Sequence, residues 1–112
     1  MRRGEVYRVS LDPVVGSETG RTRPALVLQN ELANRSSATV TMIPISSRID
    51  RIYPFQVRIR AGEGGLPRDS KALCEQIRTV SRQRIGQRLG ELPAKCLLEI
   101  REALDRHLWL GT

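Results

Sequence analysis

The sequence predicts a mainly β chain, five to six short strands forming a small barrel and one long amphipathic helix as the last element. Three observations carry this. Short runs alternate polar and apolar residues with a period of two, as in EVYRVSL at residues 5–11 and PFQVRIR at residues 54–60, the pattern of half-buried strands. Glycine- and proline-rich stretches separate those runs. Near the C-terminus the period changes: Leu97, Ile100, Leu104 and Leu108 recur at helical spacing.

Taken in order, Tyr7, Val9 and Leu11 form the apolar set of the first strand, alternating with Val6, Arg8 and Ser10, and Gly4 permits a tight entry. Asp12 and Pro13 end it. Residues 14–23 are a polar loop with two glycines, Ser and Thr side chains and the arginines Arg21 and Arg23, the build of a phosphate-handling loop. Pro24 restricts Arg23 to an extended backbone, which aims that side chain as the chain enters a strand at 25–29. This second strand is apolar on both faces and therefore central. Asn30 is placed to cap a single helical turn within the polar segment 30–37. A third strand spans 38–46, with Pro44 indicating an edge or a bend. A charged connector, 47–53, leads to the fourth strand at 54–60. Three glycines and a proline in 61–70 then demand a turn-rich loop. Residues 72–77 and 85–89 read as further short strands, separated by a polar turn in which Ser81 can cap a helix. Leu92 and Pro93 open the final helix, Cys96 and Ala103 widen its apolar stripe, and Gly111 stops it.

At 112 residues the expectation is a single domain, 1–112. The formal charge is +7, and it is unevenly spread: residues 1–90 carry +8 and the last 22 carry −1, so the positive potential belongs to the β portion. Seventeen of the nineteen basic residues are arginine, a bias that suits planar, bidentate contacts to phosphate or carboxylate. No apolar run approaches the roughly 20 residues of a membrane span. The N-terminus lacks the apolar core of a signal peptide. A cytoplasmic, reducing setting with no membrane partner is therefore expected, and Cys74 and Cys96 read as buried free thiols.

The only histidine, His107, lies near the end of the helix, where an imidazole can meet the carbonyl end. That removes a two-histidine acid–base pair and a Ser-His-Asp triad. No glycine pattern matches a nucleotide fingerprint, and neither a metal nor another cofactor is expected. Arginine, hydroxyl and carboxylate remain, and for RNA cleavage these can suffice, because the 2′-hydroxyl is a built-in nucleophile. Arg23, backed by Ser17, Thr22 or Ser46, suits stabilisation of the phosphorane. Glu75 is the carboxylate best placed for a proton. Each has a structural counterpart: Arg23 pairing with Glu18, Ser46 binding neighbouring backbone, Glu75 pairing with Arg78, and 61–70 serving as a plain connection instead of a groove wall. Aromatic content is 4%, too low for a multi-base stacking platform, though Tyr53 or Phe55 can hold one base.

In RRGEVYRVSLDPVVGSETGRTRPALVLQN, TVTMIPISS, AGEGGLPRDS and CEQIRTV, taken in this order and spacing, the chain resembles the MazF/PemK family of bacterial toxins, the mRNA interferases. The resemblance implies an SH3-like barrel with a C-terminal helix, a homodimer, and an RNA groove across the dimer surface. It implies metal-independent, sequence-specific cleavage of single-stranded RNA, leaving a 2′,3′-cyclic phosphate and a 5′-hydroxyl. The arginine of the family's R-P pair falls on Arg23 as the main catalytic group, and the hydroxyl ending the third strand falls on Ser46, where many relatives have threonine. Glu18 matches the acid of the G-S-E segment, which orders the loop or reads a base. Glu75, Gln76 and Arg78 match the E-Q-I-R segment as catalytic or base-reading residues. Leu73 stands where one branch has an arginine, which favours Arg23 with Ser46 over that branch's acid–base scheme. Ser17, Thr22, Asn30, Tyr53, Phe55 and Arg68 are the expected RNA contacts. The expected partners are single-stranded RNA and a cognate antitoxin with an acidic, disordered segment. Two other functions remain open: a toxin of the same barrel type that poisons DNA gyrase without catalysis, and a basic nucleic-acid-binding barrel.

Overall fold

The computed structural model describes residues 1–13, 15–18 and 21–110. Seven antiparallel strands form one sheet: β1 (Glu5–Ser10), β2 (Thr22–Val27), β3 (Thr39–Ser46), β4 (Val57–Ile59), β5 (Ser70–Ala72), β6 (Arg78–Ser81) and β7 (Ile85–Glu91). A short helix, α1 (Glu31–Ser36), follows β2, and the long helix α2 (Ala94–Leu108) comes last. This is the expected mainly β fold with a C-terminal helix. The hydrogen-bonded path runs β4-β5-β3-β2-β1-β7, with β6 on β3, so among the described residues the sheet does not close on itself.

β2 is central because both of its faces are apolar. Leu26 joins Val6, Ile43, Ile45, Val57 and Ile59 in a core covered by α2, while Ala25 and Val27 join Val9, Leu11, Val40, Met42 and Val80 in a second core. The two-residue side-chain period of a strand sends alternate residues to opposite cores. β2 and β3 are consequently pinned from both sides.

Helix α2 packs through Cys96, Ile100, Ala103 and Leu104, with Leu97 at the margin of the same core. Leu108, expected in the stripe, is 44% exposed. The buried stripe runs along 96, 100, 103 and 104, and in the last turn the exposed His107 lies beside the Phe55 ring, centroids 5.9 Å apart. Trp109, in the left-handed conformation, caps the helix; the expected stop at Gly111 lies outside the described residues. Cys74 and Cys96 are buried free thiols. Burial pushes both up, Cys74 to about 12 and Cys96 to about 11, so neither is a ready nucleophile.

Two expected strands are corrected. Residues 54–60 are strand only at β4, because Pro54 has no amide donor and residues 53–56 turn, with Gln56 N donating to Tyr53 O at 2.9 Å. Residues 72–77 are divided. Ala72 pairs with Ile45 and Arg78 with Met42, so six steps on one strand cover three on β3, and a 3-10 turn at Cys74–Gln76 absorbs the surplus. Pro44 sits in central β3, not at an edge. It pairs with Ala25 and falls between the stretches of β3 that pair with β6 and β5.

The ends of β1 and β7 are tied by a buried carboxylate. Glu5 accepts from Arg88 Nε at 2.5 Å, Arg2 N at 2.5 Å and Tyr7 Oη at 3.1 Å. Burial alone would raise its pKa, but the bonds from Arg88, Arg2 and Tyr7 outweigh it and hold the carboxyl below its ordinary value. A carboxylate with a lowered folded pKa contributes stability that is complete above its unfolded pKa and is lost as pH falls through the folded one. Glu5→Gln is expected to cost about 1–3 kcal/mol at neutral pH, and urea midpoints should show that difference shrinking on acidification. A difference that stayed constant down to about pH 3 would remove this role from the Glu5 carboxylate.

Candidate active site

Arg23 lies in β2, paired with Val9 of β1. Its backbone is therefore part of the ladder, and its side chain springs from a rigid element. A cleft of ≈340 Å³ opens beside it, walled by Arg8 of β1, by Arg21, Thr22 and Pro24, by Ile45 and Ser47 around the end of β3, and by Leu66, Pro67, Arg68 and Ser70. The loop of residues 61–70 is thus a wall of this cleft as well as a connection. Among the described residues four arginines line it and no carboxylate does. Such a surface raises the local concentration of anions.

Ser46 is not among the residues lining the cleft, but its neighbours Ile45 and Ser47 are. The pairing of β2 with β3 ends at Ala25 opposite Pro44, and beyond it β3 pairs with β5, Ser46 opposite Lys71. The Ser46 Oγ accepts from Arg48 N at 3.1 Å, the backbone contact foreseen as its structural role. That bond uses an oxygen lone pair and leaves the hydroxyl proton available to donate.

A second cavity, ≈480 Å³, gathers Ser17, Glu18, Glu75, Gln76, Ile77 and Arg78. Five of these were expected at an RNA site. Glu75 does not close a strand but lies on the 3-10 turn, where Oε2 accepts from Gln56 Nε2 at 2.8 Å. Its Oε1 is out of contact with solvent and has no hydrogen-bond partner among the described residues. Arg78 donates to Leu11 O at 3.4 Å. Glu18 accepts from Val15 N at 2.6 Å, so it orders its own loop.

The remaining expected RNA contacts have structural duties. Asn30 caps α1, accepting from Ala33 N at 2.9 Å. Tyr53 and Phe55 stack on each other with ring centroids 5.3 Å apart, with Arg51 over Tyr53 and His107 beside Phe55. Two residues escaped the sequence reading. Arg8 was visible only as charge and Gln56 as the polar half of an alternation, and nothing local marks their proximity to Arg23 and Glu75, whereas Arg21 stands in the same polar loop as Arg23. Among the described residues no group of three His, Cys, Asp or Glu side chains is arranged to hold a metal ion, and no helix is long and apolar enough to cross a membrane.

The family model for PemK-like, MazF-like toxins of type II toxin-antitoxin systems matches residues 2–108. The chain belongs to this family. It is 42% identical over 113 residues to Endoribonuclease MazF9 of Mycobacterium tuberculosis, covering 96% of each chain. It is 41% identical over 111 residues to Endoribonuclease EndoA of Bacillus subtilis, covering 98% of this chain and 96% of that one. Among solved structures, MazF of Deinococcus radiodurans superposes with a TM-score of 0.83 at 31% identity, covering 96% of this chain and 94% of the other. An endoribonuclease in complex with its cognate antitoxin, from a mycobacterial species, superposes with a TM-score of 0.80 at 25% identity, covering 98% and 96%. These matches span nearly the whole chain.

Proposed function

We propose that the toxin is a metal-independent endoribonuclease that cuts single-stranded RNA at a short sequence, acts as a homodimer, and is held in check by a cognate antitoxin. The observation that carries the proposal is the position of Arg23: an R-P arginine on a ladder-paired strand, beside a cleft lined with arginine and free of acid, in a chain whose curated relatives are named endoribonucleases.

The chemistry asks little beyond charge placement. The ribose 2′-oxygen attacks the adjacent phosphorus and loses its proton. The P–O5′ bond breaks, and the 5′-oxygen takes up a proton. The products are a 2′,3′-cyclic phosphate and a 5′-hydroxyl, with no water consumed. A guanidinium fixed at the phosphate stabilises the extra negative charge of the phosphorane without reorganising. Ser46, at the end of β3 between two residues that line the cleft, supplies a hydroxyl donor to the same group. Glu75, Gln76 and Arg78, in the second cavity, face the strand as base-reading or proton-handling groups. Thr22 and Arg68 contact its backbone. An antitoxin segment rich in Asp and Glu, competing for the arginine-lined cleft, accounts for inhibition by electrostatic complementarity.

The test is incubation of the purified toxin with a mixed-sequence RNA in chelator, followed by sequencing of the 5′ ends. Cleavage at one short word, abolished by a deoxyribose at the scissile position, is expected. Gyrase inhibition without any RNA product would select the non-catalytic toxin instead, and salt-sensitive RNA binding without product would select a binding barrel. Ser46→Ala is expected to lower the single-turnover rate by about 10- to 100-fold, the usual loss on removing one transition-state donor. Ser46→Thr, which keeps the oxygen, should stay close to wild type. Equal rates for all three would take Ser46 out of the mechanism.

A further inference from the structure

The segment leading into β2 places an arginine where the backbone favours glycine. Arg21 has φ 66°, the left-handed region that a side chain bearing a Cβ enters at a cost. Two backbone-centred hydrogen bonds hold it there: its N–H donates to Asp12 Oδ1 at 2.8 Å, and its carbonyl accepts from Leu11 N at 2.8 Å. Neither bond uses the side chain, so the turn needs no arginine, and glycine would suit it better.

What the arginine adds lies at the cleft. Arg21 lines it together with Arg8, whose backbone pairs with Pro24, and with Arg68 from the loop before β5. All three are exposed, and among the described residues none forms an ion pair with a carboxylate. Like charges gathered on a surface without acids oppose folding by mutual repulsion, and a polyanion relieves that repulsion. A lone surface arginine would be unremarkable, but three converging beside Arg23, one of them held against its backbone preference, point to a ligand.

We infer that Arg8, Arg21 and Arg68 form a phosphate subsite adjoining Arg23, which grips the phosphodiesters neighbouring the scissile one in single-stranded RNA. The inference rests on the cleft being the RNA-cleaving site proposed above. Arg21 acts in binding and not at the reacting atoms. Its contribution therefore falls on substrate affinity and its salt dependence.

Arg21→Gly separates this role from a structural one, because the substitution suits the backbone while deleting the charge. Its thermal midpoint should equal or exceed that of wild type. Its Kd for an oligoribonucleotide carrying a deoxyribose at the cleaved position, which binds without turnover, should rise about tenfold, the loss of one charge-assisted contact. The slope of log Kd against log salt should fall by about 0.7, the single-strand value for one phosphate. On cleavable RNA the change should appear in KM and not in kcat. Arg21→Lys should retain most of the salt slope with weaker affinity. An unchanged Kd and slope in Arg21→Gly, with wild type cleaving normally, would overturn the subsite and leave the active-site proposal standing. A wild type that cuts nothing but binds RNA with an Arg21-dependent slope would overturn the cleavage reading and support the subsite. A wild type that binds no RNA would overturn both, and a lowered midpoint in Arg21→Gly would refute the claim that the side chain is held against its backbone.

Discussion

Arg23→Ala is expected to fold like the wild type and to lose RNA cleavage by at least about 10³-fold, on the order of 4 kcal/mol of transition-state stabilisation. The fold should survive because Arg23 contributes to the sheet through its backbone, paired with Val9, while the apolar positions of β2 that fill the two cores are Ala25, Leu26 and Val27. Cleavage should not survive, because a fixed guanidinium at the attacked phosphate is the device the proposed mechanism depends on. Arg23→Lys tests geometry against charge. A lysine keeps the positive charge but lacks the planar fork, and a bidentate site distinguishes the two. It should recover only a small part of the lost rate. Single-turnover cleavage alongside circular dichroism and a thermal melt makes the test. A well-folded Arg23→Ala protein cutting within tenfold of wild type would move the chemistry elsewhere on the surface.

Gly90→Ala should be among the most damaging single-methyl changes available in this chain. Where β7 ends, the backbone of Gly90 lies directly on the backbone of Gly64 and Gly65: a Cβ at 90 would sit 2.5 Å from Gly64 C, 2.6 Å from Gly65 N and 2.8 Å from Gly64 O. Those are main-chain atoms and cannot rotate away as a side-chain tip would. From the other side, a Cβ at Gly65 would overlap the carbonyl of Leu89, and Gly65 also has φ 74°. The contact is flanked by Val6 and Leu92, which are core residues, so relief requires β7 and the turn at Glu63–Gly65 to separate and open the core beneath α2. A loss of about 4 kcal/mol or more is expected, lowering the melting midpoint by roughly 15 °C. Gly62→Ala is the control: it has φ 93° but no atom within 4 Å of the added methyl, and should cost only its backbone strain, about 1–2 kcal/mol. Comparable melts for the two variants would refute the packing argument.

The legible parts of the fold were those written in period and punctuation. The alternation in β1, the two-faced β2, the Asn30 and Ser81 caps and the late helix all follow from local rules, and all are found in the structure. The misreadings share one cause: position along the chain says nothing of what lies alongside. Residues 72–77 have the apolar content of a strand, yet must change partners along β3 at the point where three residues are surplus. Leu108 keeps helical spacing with Leu104, but the buried stripe of α2 ends at Leu104 and Leu108 lies exposed. For the site, the R-P pair marked Arg23 because proline imposes an extended backbone. Arg8 joins it only through folding, from a neighbouring strand, whereas Arg21 was legible in the same polar loop and only its left-handed backbone was not.

The surplus turn at Cys74–Gln76 bears on how toxins of this family diversify. Because Glu75 and Gln76 stand outside the ladder, exchanging them leaves the alignment of β3 with its partners undisturbed, and β3 is the strand that ends in Ser46 between two residues of the cleft. On the proposed function, the letters that select a message can drift by substitution while the scissors stay sharp. A lineage could acquire a new target without passing through an inactive ancestor.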